Sequence, residues 1–180
     1  MTLWLIRHAQ VLLPPAVCYG ATDVAADPTA TQAAARALAD SLPHDLHLRV
    51  SPLQRCEQLA QELQGLRPDV TYETDANLVE MDFGCWEGQA WSDIPQAALD
   101  AWVADFALHR FGGRESVSDV MQRVGRAWDA TLALNTDAAW ITHAGVIRAA
   151  TLLHQGVRTV QRADHWPREA PGFGQWQVVA

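Results

Sequence analysis

The chain has 180 residues, 49% of them hydrophobic and 19% charged, with a formal net charge of −8 at neutral pH. That length suits one compact unit with a sizeable core, and the acidic balance argues against a whole-surface attraction to nucleic acid or to an anionic membrane. All thirteen basic residues are arginine, which excludes Schiff-base and P-loop lysine chemistry and leaves only planar, permanently charged forks suited to phosphate or carboxylate.

The three cysteines, Cys18, Cys56 and Cys85, are widely spaced and form no Cys-x-x-Cys pair. Free thiols in a reducing compartment are expected, with neither a disulfide framework nor a zinc site. No basic segment followed by an apolar core opens the chain, and no apolar run reaches the ~20 residues of a membrane span. The expected location is the cytoplasm, with no membrane partner.

In chain order, Thr2 to Ile6 is short, apolar and partly β-branched, which predicts a strand. Residues 11–28 carry Pro14, Pro15, Gly20 and Pro28 and read as a loop. Thr29 to Leu42 reads as a helix capped near Thr29 and stopped by Pro43, and Leu46 to Val50 as a short strand. In "SPLQRCEQLAQEL", Ser51 is the expected N-cap and Pro52 the first helical residue.

Val70 to Thr74 is a weak strand, followed by the loop "NLVEMDFGCWEG". Apolar spacing predicts helices over 92–109 and 116–134. "AAWIT" at 138–142 is a strand feeding "HAG", Val146 to His154 is a helix, and a last strand is expected over 175–179. Alternating strands and helices predict a three-layer α/β/α sandwich on a mostly parallel, mixed sheet. No linker divides the chain, so residues 1–180 are expected to act as one unit.

In such sheets, sites gather beyond the carboxyl ends of strands. Three predicted strands end in suggestive residues: Arg7–His8, Ser51 with Arg55 on the following helix, and His143–Ala144–Gly145. Parallel strands would bring two imidazoles and two guanidiniums to one edge. A phosphoryl group complements that charge, an imidazole is a nucleophile, and helix N-termini near Pro52 and Gly145 add N–H donors. Glu80 or Asp82 of "VEMDFG" would supply a proton. Singly, each residue has a plainer reading as a strand-end pair, an exposed helix residue or a solvated carboxylate. Their conjunction at three strand ends favours a site. The other five histidines follow no ligand spacing, and no metal or cofactor is expected.

"LIRHAQ", "SPLQRCEQLA", "LVEMDFGCWEG" and "ITHAGVIRAA" occur in an order and spacing that resemble the histidine phosphatase superfamily, with its phosphoglycerate-mutase-like fold. The resemblance spans Leu3 to Thr151. "CYGATD", "EMDFGCWEG" and "ESVSDVMQRV" resemble its alpha-ribazole phosphatase branch, which acts in cobalamin assembly.

The resemblance implies that His8 becomes phosphohistidine, that Arg7 and Arg55 clamp the phosphate and that His143 hydrogen-bonds the transferred phosphoryl. It makes Glu80 the proton donor, with Asp82 second on spacing. Ala144 and Gly145 then bind substrate through their backbone. Ala9, Gln10, Val11 and Pro14 stand where many members carry Gly, Glu, Thr and a phosphate-contacting Asn.

The expected partner is a small phosphate ester such as alpha-ribazole 5′-phosphate or adenosylcobalamin 5′-phosphate. Another small ester, a phosphoprotein, or a catalytically inactive phosphate-binding role are the alternatives. Residues 83–113 are expected to cover the substrate, with Trp86 as a stacking surface or else a plug ordering the loop. Arg148 and Glu115 are candidates to line the pocket, with a structural ion pair as the favoured role.

Overall fold

A computed structural model describes residues 1–180. Five strands, β1 (Leu3–Arg7), β2 (His47–Val50), β3 (Tyr72–Thr74), β4 (Ala138–Thr142) and β5 (Trp176–Val179), form one sheet in the order β3-β2-β4-β1-β5. All neighbours are parallel except β5, which runs antiparallel along β1. The two-residue period of the strands divides the core. Leu3, Leu5 and Trp140 face helices α4 (Val117–Leu134) and α5 (Ala144–His154). Ile6, Leu48, Val50 and Ile141 face α1 (Pro28–Ser41) and α2 (Gln54–Leu66). The result is the expected α/β/α sandwich, with β4 buried along its whole length.

Register is what positions the site. Arg7 lies opposite Thr142, and Val50 opposite Ile141. The next residues, His8, His143 and Ser51, therefore emerge side by side. Backbone bonds continue past the strand ends: the His8 N–H donates to the Thr142 carbonyl (3.1 Å) and the Ser51 N–H to that of Ile141 (3.0 Å).

Several helix boundaries differ from the sequence reading, and those of α1, α2 and the third helix do so for local reasons. Helix α1 is capped by Asp27, whose Oδ1 accepts the Ala30 N–H (2.7 Å), with Pro28 in the first helical position. Ser51 does not cap α2, because its hydroxyl is engaged by His143. The helix starts at Gln54, whose N–H donates to Asp23 Oδ1 (2.7 Å). The helix expected over 92–109 is only α3 (Gln96–Ala104). Proline disfavours helical backbone in the residue before it, and Ile94 is accordingly extended before Pro95. Phe106 and Phe111 continue the apolar pattern beyond the helix as members of an aromatic cluster.

Helix α4 matches its predicted span and carries a reciprocal cap. Ser116 Oγ accepts the Asp119 N–H, and the Ser116 N–H donates to the Asp119 carboxylate. Replacing Ser116 with Ala should cost about 1 kcal/mol of folding free energy by urea denaturation. Unchanged stability would show that the cap contributes nothing.

Candidate active site

The site is built at the exits of β1, β2 and β4. His8 is 2% exposed, and His143 and Arg55 are equally shut off from water. The two imidazoles lie 5.1 Å apart, centroid to centroid, and are tilted by 59°. His8 Nδ1 donates to the Ala9 carbonyl (2.7 Å), which leaves Nε2 as a bare lone pair. Burial, followed by the Arg55 and Arg7 charges, pushes the His8 pKa down to about 3, although the Ala9 carbonyl opposes the shift. Ala9 acts here through its backbone, a contribution that does not depend on its side chain.

Burial likewise holds His143 well below the ordinary histidine range, with the neighbouring His8 and Arg55 adding to the effect. Its Nδ1 accepts from Arg55 Nε (3.3 Å), so Nε2 carries the proton and donates to Ser51 Oγ (2.8 Å). Both ring nitrogens are therefore engaged. The resemblance gives His143 a bond to the phosphoryl group, whereas here it orients Arg55.

Arg55 also donates from Nη1 to the Thr22 carbonyl (2.8 Å) and from Nη2 to that of Gly20 (2.6 Å). One N–H on each terminal nitrogen remains for an anion. Glu87 holds the same loop from its other side. Its half-buried carboxylate accepts the N–H groups of Ala21, Thr22 and Phe83, together with the Thr22 hydroxyl. The Gly20–Ala21 peptide is thus gripped between a carboxylate and a guanidinium.

Arg7 donates from Nη1 to the Pro171 carbonyl (3.1 Å), and its Cζ lies 3.9 Å from the centre of the Phe173 ring. The C-terminal stretch that the sequence leaves unassigned thus closes the site from one side. Its Gly174 N–H also donates to the His8 carbonyl (3.0 Å).

Glu80 faces the same cavity, a space of about 280 Å³ shared with Arg7, His8, Arg55, His143 and Arg148. Its Oε2 accepts the Gly145 N–H (2.9 Å) at the start of α5. That bond occupies the N–H expected to bind substrate, while Ala144 does line the cavity. A Cβ on Gly145 would come within 2.3 Å of Glu80 Oε1, so only glycine lets the carboxylate approach this closely.

The Glu80 loop is fixed on both sides. Arg123 donates to the Val79 carbonyl (2.5 Å), and Glu115 accepts the Asp82 N–H (3.0 Å). Glu115 forms its ion pair with Arg123 (2.6 Å), while Arg148 lines the cavity. Asp82 accepts the Gly84 N–H and does not line the cavity.

Packing also places other residues that stand out in the sequence. Trp86 lies outside the cavity against Phe111, with ring centroids 5.9 Å apart, and Trp91 lines it instead. Pro14 is exposed and outside the cavity, while Val17 and Tyr19 of the same loop line it. No group of three or more His, Cys, Asp or Glu side chains is placed to hold a metal ion, and no helix is long and apolar enough to cross a membrane.

Three guanidiniums and one carboxylate surround a bare imidazole nitrogen, a charge pattern that complements a phosphoryl group. The model for the histidine phosphatase superfamily (branch 1) matches residues 3–167, and the chain belongs to that superfamily. It has the phosphoglycerate-mutase-like fold, and it spans about a fifth of the length of the curated relatives it matches.

A mycobacterial glucosyl-3-phosphoglycerate phosphatase, Rv2419c, is similar in structure, with a TM-score of 0.79 and 25% identity over 98% of this chain and 88% of that one. TTHB049 from Thermus thermophilus is similar with a TM-score of 0.73 and 28% identity over 99% and 93% of the respective chains. The bifunctional protein Rv2228c of Mycobacterium tuberculosis is 37% identical over 83 residues, which is 44% of this chain and 22% of that protein.

Substituting Gly145 with Ala should displace Glu80 and lower kcat by about 10²-fold while leaving affinity for inorganic phosphate within a few-fold. Wild-type turnover in this variant would show that the close approach is dispensable.

Proposed function

We propose that this chain hydrolyses a phosphomonoester through a phosphohistidine on His8, and that the ester is alpha-ribazole 5′-phosphate or adenosylcobalamin 5′-phosphate, within cobalamin biosynthesis. The observation that carries the chemistry is the His8 ring: its Nδ1–H is fixed and its Nε2 is bare, among guanidiniums and facing one carboxylate.

In the first step Nε2 attacks phosphorus in line. The phosphorus–ester oxygen bond breaks, and Glu80 gives its proton to the departing oxygen. Arg7 and Arg55 hold the phosphoryl oxygens, with His143 keeping the Arg55 fork in place. In the second step Glu80 takes a proton from water, whose oxygen attacks phosphorus. The phosphorus–Nε2 bond breaks with its electron pair returning to the ring, inorganic phosphate leaves and His8 is again neutral. Most of the barrier reduction comes from positioning and charge.

The cobalamin substrates are supported by the blocks "CYGATD", "EMDFGCWEG" and "ESVSDVMQRV". Residues 1–180 act as one phosphatase unit, and residues 83–113 cover the substrate through Phe83 and Trp91. The three free thiols support a reducing, cytoplasmic setting. Glucosyl-3-phosphoglycerate, the substrate named for the similar mycobacterial phosphatase, is the natural competitor in a substrate panel.

Rapid alkaline quench with radiolabelled alpha-ribazole 5′-phosphate should trap an acid-labile, base-stable phosphoenzyme in the wild type and none in His8→Ala. Label retained in His8→Ala would move the nucleophile elsewhere. Glu80→Gln should lose about 10²- to 10⁴-fold in rate, less with esters of acidic alcohols. An unaltered rate would remove Glu80 as the acid. Fast turnover of glucosyl-3-phosphoglycerate with neither cobalamin ester hydrolysed would retire the cobalamin reading and leave the chemistry standing.

A further inference from the structure

Beside the phosphoryl cavity lies a second space of about 250 Å³, lined by eleven residues of which eight are hydrophobic. Glu80, Phe83, Trp91 and Arg148 line both spaces. An ester with its phosphorus at His8 and its bridging oxygen at Glu80 therefore has this annex next in reach. Its walls include Met81, Phe106 and Trp166. Such a surface has few partners for hydroxyl groups and suits a flat apolar ring.

Two of the side chains in this lining carry a buried donor. Trp102 Nε1 and Arg148 Nε are both buried without a hydrogen-bond partner. Buried donors are nearly always paired, and leaving one unpaired is costly. The Trp102 ring is held in place by its aromatic neighbours. Trp102 is stacked on Phe111 (4.4 Å between centroids, 15° between planes) and on Phe106 (5.6 Å, 24°). Arg148 is tied through Nη2 to the Arg168 carbonyl (3.2 Å), and no carboxylate pairs with it.

We propose that Trp102 and Arg148 determine leaving-group specificity: the annex takes an apolar ring system, and these two N–H groups donate to an acceptor atom carried on it. The inference rests on the phosphatase reading and adds residues that select the organic part of the ester. Trp102 and Arg148 act on binding of the leaving group, while the reacting atoms stay with His8 and Glu80.

The test compares 2-naphthyl phosphate with the set of quinolinyl phosphates, which place one ring nitrogen at successive positions of the same flat bicycle. In the wild type, at least one quinolinyl isomer should exceed 2-naphthyl phosphate in kcat/KM by about tenfold. That advantage should vanish in Trp102→Phe, which keeps the ring and removes the N–H, or in Arg148→Met, which keeps the stem and removes the guanidinium.

Using the ratio of two substrates on each variant cancels general losses of activity, and the second variant serves if the first misfolds. An advantage that survives both substitutions, or no isomer favoured by the wild type, would overturn the proposal and leave water as the partner of these donors. Hydrolysis of 2-naphthyl phosphate with a trapped phosphoenzyme separates that outcome from failure of the phosphatase reading, in which no ester would be turned over.

Discussion

Burial and two neighbouring guanidiniums hold the His8 imidazole neutral, and the rest of the site is arranged around that condition. A protonated ring would have no lone pair to offer phosphorus. A neutral ring with free rotation would offer either nitrogen. The Ala9 carbonyl settles the second point by taking the Nδ1 proton. The arginines that depress the His8 pKa are also the charges that complement a phosphoryl group, so in the proposed reaction one arrangement prepares the nucleophile and receives its target.

That arrangement is costly to hold, and the fold distributes the work. Parallel pairing of β1, β4 and β2 delivers His8, His143 and Ser51 to one edge without any of them being sequence neighbours. His143 and the carbonyls of Gly20 and Thr22 occupy three of the five Arg55 N–H groups, so the guanidinium is held in one orientation. Glu87 steadies the loop that supplies those carbonyls. Arg123 and Glu115 fix the loop on either side of Glu80. These residues support the ones to which the proposed reaction gives substrate contacts, and geometry at reacting atoms depends on such support.

The strand exits are legible in the sequence because a short apolar run ending abruptly in Arg–His, or in Ser, or in His–Ala–Gly, is itself a signal. The same local logic misleads where tertiary contacts take over. Ser51 reads as a helix cap and is instead bonded to a histidine 92 positions away. Apolar spacing carries the third helix across Pro95 and past Ala104, where the pattern belongs to stacked aromatic rings. Trp86 stands out in the sequence over Trp91 and Trp102 because facing cannot be read in a segment without regular period. "HWPREAPGFGQW" gives no signal, since it contributes carbonyls, aromatic faces and an N–H whose placement depends on how the segment docks beside β1.

The central claim is that His8 stays neutral, with its proton on Nδ1, throughout the range in which an ordinary histidine titrates. Proton–nitrogen correlation spectra of protein labelled with ¹⁵N in its histidines test this directly, with His8 assigned through His8→Asn. The His8 pKa is depressed, so its signals should be those of the neutral Nδ1–H form and should not move between about pH 8 and pH 5. A titration of those signals centred near the free-histidine value of about 6.5, or an Nε2–H pattern at any pH in that range, would contradict the account.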